Sequence, residues 1–236
     1  MSKNQINESP GLMKQVLIAG TNGMIGSAIL DHCLLDPGIE KVISITRNPM
    51  EKKHPKLIQV IHQDFTDFTP ISTVFAGIDI CFYCVGVYTG QVSRDLFRKI
   101  TVDITISFAA MLKNMSPDAR FCFLSGQGAD SSEKSNILFA LDKGIAENKL
   151  ILLGFNQLNI FRPGYIYPVK ARKEPNLMYR IMRSVYPLLR YLYPNIGITS
   201  AELAKVMFTM GMQGSNQLIF ENRDIRKIAG DISRFS

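Results

Sequence analysis

The sequence predicts a doubly wound α/β fold, in which a parallel sheet carries helices on both faces. Three observations lead to it. An apolar run at residues 16–19 stops at a glycine turn and leads straight into a segment of helical apolar spacing. Further short apolar runs recur at 42–46, 57–62, 78–85, 121–125 and 158–161, most of them separated by helical patterns. The run at 42–46 alternates too little to have one wet face, as expected of a parallel strand covered on both sides. Strands alternating with helices imply right-handed crossovers and a parallel sheet. With 236 residues, 46% of them hydrophobic, the chain can bury one large core of this kind.

In order, the first strand is 16–19 and the first helix 24–35, closed by Asp36-Pro37-Gly38. Between them Gly20, Gly23 and Gly26 stand three apart. Glycines there let the backbone bend sharply and come close to a pyrophosphate, whose charge then rests on the free amides of the helix N-terminus. Placed between a strand and a helix, the turn reads as a dinucleotide site formed by Gly20, Thr21, Asn22, Gly23, Met24, Ile25 and Gly26. Strands follow at 42–46, 57–62 and 78–85, then one long helix from about 93 to 114. A fifth strand at 121–125, a helix over roughly 134–150 and a sixth strand at 158–161 complete the repeating part.

The last third is less regular. Met178, Ile181, Met182, Val185, Leu188, Leu189 and Leu192 repeat at helical spacing, and Pro187 is expected to end or kink that helix. Three readings suit it: a lid on a substrate pocket, a dimer or partner surface, and a helix lying on a membrane face, with the lid or plain packing preferred. Residues 198–212 read as a closing helix with Thr199 and Ser200 as N-caps, 217–220 as a final strand, and the chain from Asp224 as a tail. Residues 1–13 read as a flexible leader and 14–236 as a single domain, with 165–236 forming a small region that covers substrate or meets a partner.

Composition narrows the setting. No apolar run reaches the ~18–20 residues of a membrane span, and the polar start lacks the pattern of a signal peptide. The four cysteines suit a reducing, cytoplasmic location. Cys81 and Cys84 form a CxxC, but inside a strand residues three apart face opposite ways, so neither a shared metal nor a disulfide is expected. The histidines, His32, His54 and His62, make no ligand pattern either, and no metal is expected. The net charge of +7 is uneven. From 151 to 190 seven basic residues (Arg162, Lys170, Arg172, Lys173, Arg180, Arg183, Arg190) face one acid, Glu174, which leaves +6. That suits a phosphorylated ligand, an acidic partner or an anionic surface as well as a plain solvated face; nucleic acid is not expected.

Ligands of doubly wound sheets bind beyond the carboxyl ends of the strands. That rule selects the glycine turn, Arg47, Asp64, Val85-Gly86 and Ser125-Gly126. Folds that prefer NAD place an acid at the end of the second strand to hold the ribose hydroxyls. Here the strand ends in Arg47, which suits a 2′-phosphate, so NADP(H) is expected over NAD(H).

From residue 14 onward the chain resembles the atypical short-chain dehydrogenase/reductase superfamily of Rossmann-fold proteins. The carriers are the glycine turn, Asp64, Leu124-Ser125-Gly126-Gln127-Gly128-Ala129-Asp130, Lys143-Gly144-Ile145-Ala146-Glu147, and Phe161-Arg162-Pro163-Gly164. Within it the chain is most similar to the small oxidoreductases of the Tat-interacting, metastasis-suppressor type and their bacterial relatives. The resemblance implies that Asp64 and Phe65 approach the adenine, that Val85, Gly86, Arg162, Pro163 and Gly164 line the cofactor, and that Lys143 binds the nicotinamide ribose. It implies Ser125 and Lys143 as catalytic residues, and a homodimer is compatible with it.

The family's active helix carries Tyr-x-x-x-Lys, which puts phenol and amine on one helix face. Here the stretch is Phe139-Ala140-Leu141-Asp142-Lys143, and the family's Ser-Ser is Ser125-Gly126. Phenylalanine neither donates nor accepts a proton. The sequence therefore favours a protein that binds the dinucleotide without the usual reductase chemistry. The alternative is an active oxidoreductase or epimerase on a small carbonyl or sugar, with a relocated donor such as Tyr165 or Tyr167.

Overall fold

The computed structural model describes residues 13–88, 90–170 and 177–234. Its strands are β1 (Lys14–Ala19), β2 (Ile39–Thr46), β3 (Leu57–Ile61), β4 (Ile80–Tyr83), β5 (Arg120–Leu124), β6 (Leu158–Arg162), β7 (Tyr165–Tyr167), β8 (Gly197–Thr199) and β9 (Ile219–Glu221). Seven of them form one parallel sheet in the order β3-β2-β1-β4-β5-β6-β9. The order reverses between β1 and β4, so a crevice opens at their carboxyl ends. The α/β fold read from the sequence is the fold observed.

Both faces of the sheet are covered, which explains why the strands read as continuous apolar runs. Leu17, Ala19, Cys81, Tyr83, Phe121 and Phe123 point to one side, where α3 (Ile104–Met115) and α4 (Leu138–Leu152) pack on them. Val16, Ile18, Ile80, Phe82 and Cys122 point to the other, against α1 (Met24–Leu35), α6 (Ser200–Gln213) and α7 (Asn222–Arg234). Cys81 and Cys84 belong to opposite cores, as the period of a strand requires. Ahead of α3, the short helix α2 (Arg94–Arg98) runs on through a π-helical turn, Lys99–Asp103. Together these make the single helical stretch expected over 93–114.

Several expectations need correction. The helix placed at 134 begins at Leu138, because the Asp130 carboxylate accepts the amides of Ser132, Lys134 and Ser135 and holds that stretch in turns. The chain beyond Asp224 is helix α7, with Ile225 and Ala229 in the core. Ile198 lies in β8, which pairs with β7 in a separate two-stranded sheet. Helix α6 therefore starts at Ser200, capped reciprocally by Thr199 and Glu202. Helix α5 (Leu177–Leu192) continues through Pro187, so of the two outcomes expected there, an end or a kink, the end does not occur. Residues 1–12 of the expected leader and Arg172, Lys173 and Glu174 of the basic segment fall outside the described residues, as do the side chains of Met178 and Arg190.

Helix α4 lies unusually close to the loop that follows β5. A Cβ on Gly144 would sit 1.8 Å from the carbonyl oxygen of Asp130, a backbone atom that cannot swing aside. Asp142, fully buried on the opposite side, pairs with Arg98 of α2 at 3.4 Å. Gly144→Ala is expected to lower the unfolding free energy by about 3 kcal/mol, the upper end of ordinary overpacking costs, as measured by urea denaturation.

Candidate functional site

The crevice is built around the glycine turn. Gly20 has φ +91°, and a Cβ there would lie 2.7 Å from the Cys84 carbonyl oxygen. A Cβ on Gly26 would lie 2.2 Å from the oxygen of Gly20, so α1 can start tight against the end of β1 only with glycine at that position. Gly23 is the N-cap of α1, and no side chain caps the helix. These features fit a dinucleotide pyrophosphate: a cradle that side chains would fill, and a helix N-terminus facing the crevice. Thr21 is turned inward, its Oγ1 2.6 Å from Ser44 Oγ, and so pins the turn to β2 without reaching the cleft.

Two adjoining cavities share the wall formed by Gly23, Cys84, Val85, Gly86 and Val87. The first, about 570 Å³, is lined by Gly20, Asn22, Arg47, Asp64 and Phe65 as the sequence led one to expect, and by Lys99 from the π turn. Arg47 is exposed at its mouth. Asn22 Nδ2 donates to the Asn48 carbonyl at 3.1 Å and Gln63 Nε2 to that of Arg47 at 2.6 Å, which hold the end of β2 beside the glycine turn. The Asp64 carboxyl accepts from Thr66 Oγ1 and its amide, and those bonds hold its pKa below the usual range.

The second cavity, about 720 Å³, has Met24, Ile25, Ser125, Gly126, Phe139, Lys143, Pro163, Gly164 and Tyr165 on its walls. Lys143 is nearly buried; its Nζ donates to the Leu124 carbonyl at 3.1 Å and lies 4.8 Å from the Phe123 ring centroid. Burial lowers its pKa to about 8, with the Glu147 carboxylate working in the opposite direction. Phe139 stands one turn earlier on the same face, its ring laid on Gly126. A Cβ at position 126 would meet Phe139 Cζ at 2.5 Å, so the bare glycine and the ring position depend on each other.

The other hydroxyl at this corner is engaged elsewhere. Ser125 Oγ donates to Glu147 Oε1. Arg162 Nε reaches both oxygens of Glu147 at 3.1 Å, while Nη1 meets Glu221 at 3.0 Å and Nη2 meets Ser131 Oγ at 2.8 Å. Arg162 thus lines neither cavity, contrary to expectation: it is neutralised inside the fold and adds nothing to a basic surface. Gly26 likewise acts from behind the wall.

Of the two tyrosines considered as proton donors, only Tyr165 lines the cavity. Thr101, carried by the π turn, also lines it, as do Tyr88, Gln127 and Met182. Thr101 and Tyr88 were not legible beforehand, since a π turn and the loop after β4 leave no trace in strand-end positions, whereas Gln127 stands in the stretch that carries the family resemblance and Met182 in the helix read as a lid. Cys84 shares the wall, but burial pushes its pKa up and keeps the thiol neutral. Among the described residues no three His, Cys, Asp or Glu side chains gather as a metal site.

Residues 16–135 match the NAD dependent epimerase/dehydratase family, and the chain belongs to that family. It is similar to Protein HTATIP2 of Rattus norvegicus, 28% identical over 165 residues, which cover 69% of this chain and 66% of that protein. It is also similar to Protein fmp52, mitochondrial, of Emericella nidulans, at 24% over 175 residues, 69% of this chain and 71% of the relative. The chain thus spans about two thirds of these relatives' lengths. Among solved structures, the Bordetella bronchiseptica enzyme WbmH in complex with NAD+ shares the fold with a TM-score of 0.67 at 16% identity, over 94% of this chain and 81% of that one. A short chain dehydrogenase family protein from Francisella tularensis gives 0.61 at 16% identity, over 91% and 99%. The resemblance to short-chain dehydrogenases read from the sequence agrees with these findings.

The lysine provides a direct check on the site. Folded Lys143 titrates near 8 and an ordinary lysine near 10.5, so between those values the unfolded chain binds the extra proton. Stability contributed by this group therefore rises with pH from about 8 to about 10.5. Urea midpoints across that range should show the rise in the native protein, and Lys143→Met should remove it.

Proposed function

We propose that the chain binds NADP(H) in this crevice and lacks the tyrosine-dependent reductase chemistry that its resemblance to short-chain dehydrogenases implies. The observation that carries the proposal is the interlock of Phe139 with Gly126. It puts a ring without a hydroxyl beside Lys143, while the Ser125 hydroxyl is held by Glu147. In this reading Arg47 pairs with the 2′-phosphate, Asp64 and Phe65 border the adenine, and the amides from Asn22 to Gly26 receive the pyrophosphate. Lys143 holds the nicotinamide ribose, and Val85, Gly86, Pro163 and Gly164 enclose the ring. When bound, the nicotinamide supplies a site for hydride exchange. The residues around it bind and exclude water, but Phe139 can hold no proton for a carbonyl oxygen.

A cytoplasmic setting and a single domain over 14–236 accord with this reading. Tyr165 on the cavity wall favours a second one, an oxidoreductase or epimerase with a relocated donor.

Titration calorimetry should show NADPH binding more tightly than NADH, and Arg47→Ala should remove about tenfold to a hundredfold of that preference, the value of hydrogen bonds to a charged partner. Tighter binding of NADH would overturn the role given to Arg47. The chemistry separates by turnover. With NADPH and a panel of aldehydes, ketones and quinones, the native protein is expected to be inactive. Phe139→Tyr is expected to gain activity, since a positioned acid is worth ~10²–10⁴ in rate. Gly126→Ser alone should gain nothing, because its Cβ displaces the ring. Robust native turnover that Phe139→Tyr leaves unchanged and Tyr165→Phe abolishes would establish the relocated donor instead.

A further inference from the structure

With the nicotinamide end placed against Val85, Gly86, Pro163, Gly164 and Lys143, the rest of the second cavity's wall is left to another molecule. That part includes Tyr88, Thr101, Gln127, Phe139, Tyr165 and Met182, in a cavity of about 720 Å³, well within the size of small-molecule sites.

Charge decides what can enter. Among the described residues Lys143 is the only charged side chain on the whole wall, and the ribose claims it when the dinucleotide is bound in this way. Arg162, which the end of β6 would otherwise supply, is held by Glu147 and Glu221. A phosphate or carboxylate here would lose its water without gaining a cation, which is costly. A sugar fares little better. Each of its buried hydroxyls needs a partner, and Ser125 Oγ already donates to Glu147.

What the wall offers is ring surface. Tyr165 stands 5.3 Å from Tyr186, a buried ring that stacks on Tyr167 at 4.9 Å and so backs the wall from behind. The Phe139 ring rests on Gly126, and Met182 adds a thioether, a group that packs well on aromatic rings. A neutral hydrogen-bonding group stands among them. The Gln127 amide lies against Gly164, where a Cβ would meet its Oε1 at 2.8 Å, and the Gln127 backbone N–H donates to the Pro163 carbonyl at 2.8 Å.

We propose that the second cavity takes an uncharged ligand built on flat apolar rings with a polar group such as a carbonyl, and rejects sugar nucleotides; this rests on the dinucleotide reading of the crevice.

The test uses the whole chain saturated with NADP+, its binding established by calorimetry, and the fluorescent ketone 6-propionyl-2-(dimethylamino)naphthalene. Emission of this probe moves to the blue in apolar surroundings. That shift is expected, and 2-acetylnaphthalene should reverse it. Neither 2-naphthoate, of similar size but charged, nor UDP-glucose should do so. Met182→Glu puts a carboxylate in the wall and should weaken the probe about tenfold or more, with an unchanged urea midpoint showing that the fold is kept. Leu188→Asp, on the exposed side of α5, should leave the probe's affinity as it is. The proposal is overturned by no shift, by displacement with UDP-glucose or 2-naphthoate, or by a shift that Leu188→Asp abolishes and Met182→Glu does not. If calorimetry finds no NADP+ binding, it is the dinucleotide reading that fails. The probe on the free chain, with 2-acetylnaphthalene against UDP-glucose, then decides the ligand class by itself.

Discussion

The buried carboxylate of Glu147 ties together parts of the chain that sequence keeps far apart. It takes the Ser125 hydroxyl at the end of β5 and the guanidinium of Arg162 at the end of β6, and through Arg162 it reaches Glu221 of β9 and Ser131 in the loop before α4. A buried pair of this kind is worth little over an apolar substitute, yet losing one partner costs ~3–5 kcal/mol because the other charge is stranded. Its larger effect is directional. With Glu147 anchored to the sheet, Lys143 one turn back and Phe139 two turns back have no choice but to face the crevice. Gly144 lets that helix approach closely, and Asp142 with Arg98 fastens its other side.

The two halves of the crevice differ in physical character. The end beside β2 and β3 is open, with Arg47, Asp64 and Lys99 at its rim. The far end is lined largely by apolar and aromatic groups, and its one ammonium is buried, with its pKa lowered to about 8, and donates to a backbone carbonyl. Phe139 and Gly126 belong together there: a side chain at 126 needs the ring elsewhere, and the ring in its present place needs a glycine. Phe139 and Gly126, thirteen residues apart along the sequence, are one steric fact in space.

Where the sequence was legible, a single physical rule acted along a short stretch. Doubly covered strands leave unbroken apolar runs, and the glycine turn announces itself because only glycine tolerates the approach of Gly26 to Gly20. The walls contributed by Asn22, Arg47, Asp64 and Val85 followed from the glycine turn and the strand ends, and those of Phe139 and Lys143 from the family resemblance. What escaped depended on distant partners. Asp130 takes three amides and delays α4, a choice local propensity does not record. Arg162 looks like a strand-end ligand until Glu147 and Glu221 claim it. Helix α7 was within reach, since Ile225, Ile228 and Ile232 keep helical spacing, but its many charges obscured them.

The small β7–β8 sheet has a consequence for how such a protein can change over generations. By pairing Tyr165–Tyr167 with Gly197–Thr199 it closes the chain into a loop whose two ends meet beside the main sheet. Everything from 168 to 196, α5 included, is an excursion from that clasp. Because lengthening a closed loop costs only ~0.6 kcal/mol per doubling, the excursion is a cassette. Its length and surface can be rewritten, and with them whatever the protein adheres to or admits, while the dinucleotide crevice stays as it is.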